Sequence, residues 1–134
     1  MYYDLNEAPD SLNISLVDKA MTTVMQAFDF ANSMITVDFS EDFTDGQCGF
    51  ADYDDEEYIV YLNPDLSDEQ LVRTLIHEMV HIHQYISGRL VHDGPDTYWD
   101  GIHYDGDYHK LPWEIDAYTW EDKLSEGVVN GLYN

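Results

Sequence analysis

Residues 67–88 read SDEQLVRTLIHEMVHIHQYISG and carry the strongest local signals in the sequence. Ser67, followed three residues later by Gln70, forms a capping-box pattern, in which each side chain can bind a backbone N–H at the start of a helix. Gly88 stands where a helix commonly ends, because glycine adopts the left-handed backbone conformation without strain. The segment is therefore predicted to form one helix. Its apolar side consists of Leu71, Leu75, Met79, Ile82 and Ile86.

Inside this helix, His77-Glu78-Met79-Val80-His81 matches the pattern H-E-x-x-H. At about 100° per residue, four residues bring the second imidazole back to within about 40° of the first, so both rings can bind one metal ion. Glu78 lies roughly a quarter-turn to the side, where its carboxylate can act as a general base on water rather than as a ligand. The pattern predicts a metal site with His77 and His81 as ligands and Glu78 as the catalytic residue.

The third metal ligand has to come from another part of the chain. Glu114, in the segment LPWEIDAY at 111–118, is the preferred candidate, and Ala117 is small enough to let its helix approach the metal helix closely. An acid in the first turn of a helix is also favourable without any metal, which is the alternative explanation of Glu114. The competing candidates for the third ligand are His92, His103, His109 and Asp116.

The cysteine content restricts the chemistry of any metal site. Cys48 is the only cysteine, which excludes an internal disulfide and a site built from several thiolates. Imidazole and carboxylate ligands remain, and this set suits zinc well and other divalent metals less selectively.

The charge balance is extreme. The chain has 28 Asp and Glu residues against 5 Lys and Arg residues, which gives a formal net charge of −23. Nucleic acid is excluded as a partner, because phosphate contacts need clustered cations. The acidity indicates either a salt-rich environment or simply a solvated acidic surface. Without a signal peptide or an apolar membrane-spanning stretch, we expect a soluble, cytoplasmic protein that is a monomer.

The rest of the chain predicts a single α+β domain over 1–134. A first amphipathic helix is predicted at 11–30 with Ser11 as its N-cap, and a last helix is predicted from Pro112 to Gly127. Residues 89–111 are predicted to be loop. Strand-like segments occupy 35–39, 48–53 and 57–63. The expected architecture is an antiparallel or mixed three-stranded sheet packed against the N-terminal helix, the metal-binding helix and the C-terminal helix.

Four parts of the sequence resemble the gluzincin branch of the zincin metallopeptidases, and more narrowly the small, often phage-encoded SprT-like proteins. They are the strand Tyr58–Pro64, the motif His77–His81, the loop Trp99-x-Gly101 and the segment Pro112–Tyr118. The resemblance implies a small zincin-like metallopeptidase domain with zinc, Glu78 as base and Glu114 as third ligand. It also implies that a peptide or protein substrate binds along the strand before the metal helix by β-augmentation.

The sequence also departs from these families. SprT-like proteins usually take the third ligand from a histidine soon after the motif, which keeps His92 open as the alternative. In larger gluzincins an Asp one turn after the glutamate supports a metal histidine, whereas Tyr118 stands there in this chain. Asp116, Asp100 or a backbone carbonyl is the expected support instead. Gln84 and Ser87 occupy the positions where a metzincin has glycine and histidine, so that class is excluded.

The predicted reaction is hydrolysis of a peptide bond at the metal, with Glu78 taking a proton from water and passing it to the leaving amine. Candidate donors to the oxyanion or contacts to the substrate are Tyr104, Tyr108, His103, His109 and Tyr118. Two other functions stay open. One is a catalytically silent, zinc-stabilised protein-binding module such as a phage accessory protein, and the other is an acidic decoy that mimics nucleic acid.

Overall fold

A computed structural model describes residues 2–43, 46–54, 57–106 and 111–131. Within these ranges the chain is α+β, as predicted, and none of its helices has an apolar stretch long enough to cross a lipid bilayer. In chain order the elements are β1 (Tyr2–Asn6), α1 (Ile14–Ala27), β2 (Met34–Asp38), β3 (Gly49–Asp54), β4 (Glu57–Leu62), α2 (Asp68–Ile86), β5 (Leu90–Asp93), β6 (Asp96–Trp99), β7 (Ile102–Tyr104) and α3 (Pro112–Gly131).

The main sheet is mixed and has the strand order β1-β2-β4-β3. β2 pairs in parallel with both β1 and β4, while β3 pairs with β4 in antiparallel fashion. The prediction of three strands in this sheet was wrong, because β1 was not recognised as a strand. Parallel neighbours need a crossover connection, and α1 provides it between β1 and β2. The partner of β1 is therefore distant in sequence, and short-range patterns do not reveal it.

The core lies between this sheet and the helices α1 and α2. On β4, Val60 and Leu62 are fully buried, while the alternating residues Ile59 and Tyr61 are only partly buried. This is the alternation expected of a strand covered by helices on one face. The buried core residues from the other elements are Leu16, Val17, Ala20, Met21 and Val24 of α1, Ile35 and Val37 of β2, Leu71, Val72, Leu75, Ile76, Met79 and Ile82 of α2, and Val129 of α3.

Strand β3 begins at a very close approach to β4. A Cβ atom on Gly49 would lie 2.5 Å from the carbonyl oxygen of Tyr61 and 3.0 Å from Cγ2 of Thr74. Only glycine fits there without displacing backbone. The close approach seats the first residues of β3 beside α2.

Helix α2 has the predicted ends. The Ser67 hydroxyl accepts a hydrogen bond from the backbone N–H of Gln70 at 3.2 Å. The side-chain oxygen of Gln70 accepts one from the backbone N–H of Ser67 at 3.0 Å. Gly88 follows the helix with a φ of +76°. The capping box and the glycine therefore fix both ends of α2, as the sequence predicts.

The other two helices differ from the prediction at their ends. Helix α1 is capped by Asn13 rather than Ser11, because the Asn13 side chain accepts a hydrogen bond from the Leu16 amide at 3.2 Å. Helix α3 continues past Gly127 to Gly131. Val129 is buried in the core, and this burial outweighs the cost of about 1 kcal/mol that an interior glycine imposes on a helix.

The prediction of a loop at 89–111 was wrong over its greater part. Strands β5, β6 and β7 form a second, antiparallel sheet in this order. Asp100 and Gly101 join β6 to β7 with φ values of +52° and +81°, which is the backbone of a tight two-residue hairpin turn. The Arg89 guanidinium lies 4.5 Å from the centre of the Trp99 ring and holds the sheet to the end of α2.

Candidate metal centre

Two helices bring the predicted metal ligands together. His77 and His81 lie one turn apart on α2, and Glu114 lies in the first turn of α3. Nε2 of His81 contacts Oε1 of Glu114, and Nε2 of His77 lies 3.4 Å from the same oxygen. The three ligand atoms all lie within 4.8 Å of one another. Ligands about 2.1 Å from a tetrahedral zinc ion are roughly 3.4 Å apart, so one ion can bridge this cluster.

The spacing between the two helices depends on small side chains and one arginine. Ala117, one turn after Glu114, is completely buried, in agreement with the predicted close approach of α3 to α2. Farther along, Arg73 of α2 donates a hydrogen bond to the Ser125 hydroxyl of α3 at 3.1 Å, and Ser125 is also buried. These contacts hold α3 against α2 so that Glu114 lies beside His77 and His81.

A carboxylate orients the His77 ring. Nδ1 of His77 lies 3.0 Å from Oε1 of Glu121, which is two turns after Glu114 on α3. An ionised carboxylate can only accept hydrogen bonds, so Nδ1 carries the proton in the neutral ring. Burial raises the pKa of Glu121, and the neighbouring His77 acts in the opposite direction. The Nε2 atom of His77 is consequently left with its lone pair.

The side-chain amide of Gln84 orients the His81 ring, so that its Nε2 atom, like that of His77, keeps its lone pair. Nδ1 of His81 lies 2.8 Å from Oε1 of Gln84, a fully buried side chain. The Gln84 amide nitrogen donates to the Trp113 carbonyl at 2.9 Å and to an Asp116 carboxylate oxygen at 3.0 Å, and these two acceptors fix which end of the amide faces His81. His81 therefore donates through Nδ1, and its Nε2 lone pair faces Glu114.

Three hydrogen-bond acceptors face one another between α2 and α3: Nε2 of His77, Nε2 of His81 and Oε1 of Glu114. Oε1 of Glu114 is buried and receives no hydrogen bond, although two imidazole nitrogens face it. Only a cation or extra protons can balance such a group. Burial lowers the pKa of His81, but the adjoining carboxylates of Glu114 and Glu78 outweigh it, so the pKa is raised overall. The imidazoles of His77 and His81 hold the pKa of Glu114 well below its usual range. The cluster thus favours bound positive charge, and the donor set fits a divalent metal.

Glu78 lies beside the cluster without belonging to it. Its side chain is 8% exposed and lines the same cavity, of about 240 Å³, as the three ligand residues. Burial raises the pKa of Glu78, while positive charge on His81 and His77 lowers it. A cation at the cluster would act in the same direction as the histidines. Glu78 is placed to exchange a proton with a molecule in the cavity.

Strand β3, and not β4, borders the cavity. Residues 49–51 of β3 and Trp113 of α3 line its other sides. The expectation that a peptide pairs with the strand before the metal helix was wrong, because β4 already has β2 on one side and β3 on the other. Two described strands with an unpaired edge border the cavity: β3 through residues 49–51, and β5 through Leu90 alone.

The competing ligand candidates lie outside the cluster. His92 is on β5, where its Nδ1 lies 3.1 Å from the Thr97 hydroxyl. His103 is on β7 and pairs with Asp96 at 3.1 Å. Asp116 accepts the hydrogen bond from Gln84 and so supports His81 indirectly, as a partner of a ligand rather than a ligand. His109 lies outside the described residues.

The candidate oxyanion donors are also dispersed. The Tyr118 ring packs against His77 with centroids 4.5 Å apart, and burial followed by the Glu114 charge raises its pKa. Tyr104 contacts the ring of Trp113 edge-on at 5.1 Å. Neither tyrosine lines the cavity, nor does His103, whereas Tyr85 does. Tyr108 and His109 lie outside the described residues.

Three residues at the site were not predicted from the sequence: Gln84, Tyr85 and Glu121. Helical spacing offers a signal for each of them. Gln84 and Tyr85 follow His81 by three and four residues, and Glu121 follows Glu114 by seven, so each lies on the face of its helix that carries a ligand. Helical spacing does not provide the tautomers that Glu121 and Gln84 impose on His77 and His81.

Comparison of the chain with protein-family models, with curated proteins and with solved structures gave no match. The resemblance to zincins therefore rests on the four quoted segments, and the chemistry of the site rests on its geometry.

Proposed function

We propose that the protein is a zinc-dependent metallopeptidase with a zincin-like site. The observation that carries the proposal is the convergence of three acceptors, the two Nε2 atoms and the Glu114 oxygen, with both Nδ1 protons assigned by Glu121 and Gln84. Two imidazoles and one carboxylate are a ligand set of zinc hydrolases, which keep a further metal position open for water or substrate.

His77, His81 and Glu114 would hold the ion. When bound, zinc supplies Lewis acidity, which polarises a carbonyl group and lowers the pKa of water at the site. Glu121 and Gln84 keep the imidazoles in the tautomer that presents Nε2. Glu78, buried at the cavity wall, takes the proton from water and passes it to the leaving amine. Tyr85 at the cavity is the hydroxyl best placed to donate to the developing oxyanion.

The free edge of β3 offers main-chain groups to the substrate. A peptide laid along an exposed strand edge gains backbone hydrogen bonds, while its side chains enter neighbouring pockets. Because residues 49–51 border both this edge and the cavity, a peptide on β3 would present a backbone carbonyl near Glu78.

The test combines metal content with hydrolysis. Protein purified without chelators should contain about one zinc per chain by elemental mass spectrometry, and it should cleave members of a peptide library followed by mass spectrometry. The Glu78→Gln variant should keep its zinc and lose hydrolysis by at least about a hundredfold, as expected for a general base. Glu126→Gln, which makes the same change at an exposed position of α3, is the matched control and should behave as the parent.

Each contrary result identifies a different function. Hydrolysis retained in Glu78→Gln would contradict the proposed base. Stoichiometric zinc with no turnover in any preparation would indicate the silent, metal-stabilised binding module. Absence of any bound transition metal would contradict the metal proposal and leave the acidic decoy, for which the net charge of −23 is the supporting observation.

A further inference from the structure

A second cavity lies next to the metal centre. It has a volume of about 430 Å³ and is lined by Asp52 and Tyr53 of β3, Tyr85 of α2, and Leu90, Val91 and His92 of β5. We call it the tyrosine groove. Tyr85 and Leu90 line both this groove and the metal cavity, so the two spaces adjoin.

Aromatic rings form the walls of the tyrosine groove. Tyr53 stacks on Tyr58 with centroids 5.0 Å apart, and it lies 6.1 Å from Tyr85 with the ring planes 24° apart. Tyr85 in turn lies 5.8 Å from the ring of His92. Rings held by their neighbours lose little further freedom when a ligand binds, and tyrosine faces attract cations. The walls therefore suit a long side chain with an apolar stem and a positive end.

The electrostatics of the groove are negative. Asp52 is exposed at its rim, and none of the lysines and arginines in the described residues lines the groove. Arg73 and Arg89 are paired with acids elsewhere, and Lys123 lies over Trp120. Burial raises the pKa of Tyr85, and the charges of Asp52, Glu78 and Glu114 add to the effect. A cation entering the groove would meet attraction from the Asp52 carboxylate.

Strand β3 connects the two spaces. Residues 49–51 line the metal cavity, and the next two residues, Asp52 and Tyr53, line the groove. The outer edge of β3 pairs with no strand among the described residues. A peptide extended along this edge would pass from the metal centre to the groove within a few residues.

We propose that the tyrosine groove binds a lysine or arginine side chain of the peptide substrate, so that cationic peptides are the preferred substrate class. This inference rests on the proposed peptidase function. The recognition is by cation–π contact with Tyr53 and Tyr85 and by the charge of Asp52, and the groove determines which bond lies over Glu78.

The test measures binding separately from hydrolysis. Zinc-loaded Glu78→Gln protein is titrated with fluorescent alanine-based peptides that carry lysine, arginine, norleucine or glutamate at one central position, at 0.15 M NaCl. The lysine and arginine peptides should bind about tenfold more tightly than the norleucine peptide, and the glutamate peptide should bind most weakly. Parallel measurements of kcat/KM on the parent protein should follow the same order.

Variants separate the groove from the general acidity of the protein. Asp52→Asn and Tyr53→Leu should each reduce the ratio of lysine to norleucine affinity at least about threefold, because each removes one source of attraction for the cation. Both residues are exposed, so neither substitution disturbs the core. Asp10→Asn makes the same charge change at an exposed position that lines neither cavity, and it should leave the ratio unchanged.

The outcomes distinguish the two proposals. Equal binding of the lysine and norleucine peptides, or a preference that survives both groove variants, would overturn the groove assignment. Hydrolysis without preference for lysine or arginine would do so while leaving the peptidase proposal intact. Lysine-dependent binding that is lost in Asp52→Asn, in a protein that hydrolyses nothing, would support the groove and contradict the peptidase.

Discussion

Nδ1 of His77 lies 3.0 Å from Oε1 of Glu121, although the two residues are 44 positions apart and belong to different helices. The contact fixes the ring tautomer and directs Nε2 toward Glu114. Arg73 lies 3.9 Å from the other Glu121 oxygen and restrains the carboxylate from the opposite side. The arrangement of the candidate metal ligands therefore depends on a residue that does not belong to the H-E-x-x-H motif.

Removing this carboxylate should weaken metal binding. We expect Glu121→Ala to raise the Kd for zinc by about tenfold to a hundredfold, which is the usual cost of losing a partner that orients a metal-binding histidine. Competition titration with a chromophoric chelator measures it. Asp122→Ala, a neighbouring acid whose side chain is 80% exposed, is the control and should change the Kd less than about twofold. An unchanged Kd in Glu121→Ala would show that the contact does not orient the ligand.

The buried amide of Gln84 should contribute strongly to stability. Gln84→Leu would leave His81 Nδ1 and the Trp113 carbonyl without their hydrogen-bond partner. We expect a loss of about 2–4 kcal/mol in the free energy of unfolding, measured by urea titration of the metal-free protein. Gln26→Leu, at an exposed position of α1, should stay within about 0.5 kcal/mol of the parent. Equal stabilities of the two variants would contradict the network.

The identity of the third ligand can be tested by comparing the zinc affinity of variants at Glu114 and His92. Glu114→Ala should raise the Kd for zinc by more than the loss of Glu121 does, because it removes a ligand rather than the partner of one. His92→Ala should change the Kd less than about twofold, since His92 lies outside the cluster and contacts Thr97. The reverse ranking of the two variants would assign the third ligand to His92.

Metal binding should strengthen as the pH rises. Burial opposes protonation of His81, but Glu114 and Glu78 outweigh it and raise its pKa in the metal-free protein. The stabilisation that comes from protonated His81 is therefore fully present below the unfolded pKa of about 6.5 and is lost as the pH rises through the folded value. Zinc needs the deprotonated ring, so its affinity changes in the opposite direction.

The difference in Tm between zinc-loaded and metal-free protein should therefore grow from pH 5.5 to pH 8.5. Differential scanning calorimetry at fixed free zinc measures this difference. His103→Ala serves as the control, because His103 is exposed and outside the cluster. A Tm difference that is constant over this pH range would contradict binding through His81.

Screening by salt should stabilise the chain. A net charge of −23 on 134 residues produces self-repulsion in the compact state. Raising NaCl from about 0.01 M to 0.2 M shortens the screening length from about 30 Å to less than 10 Å, so the Tm should rise most steeply in this interval. A Tm that rises only above about 0.5 M, or falls, would indicate ion-specific effects instead of screening.

The sequence itself determined helix α2 and the placement of His77, Glu78 and His81 on it. The Ser67–Gln70 capping box, the apolar face and the H-E-x-x-H spacing are local patterns, and local geometry alone places His77, Glu78 and His81. The class of the fold and three strands of the main sheet follow equally from short-range patterning. The Asp100-Gly101 dipeptide between β-forming residues is a hairpin signal that the prediction of a loop at 89–111 missed.

Tertiary structure decided what long-range contacts control. Strand β1 exists because it pairs with β2, and α3 extends past Gly127 because Val129 is buried. The approach of Glu114 rather than His92 to the two histidines depends on how α3 and β5 pack against α2, and so do the tautomers set by Glu121 and Gln84 and the adjoining tyrosine groove. A helix specifies the direction of its own side chains, but the partner that meets each of them is set by the packing of segments distant in sequence.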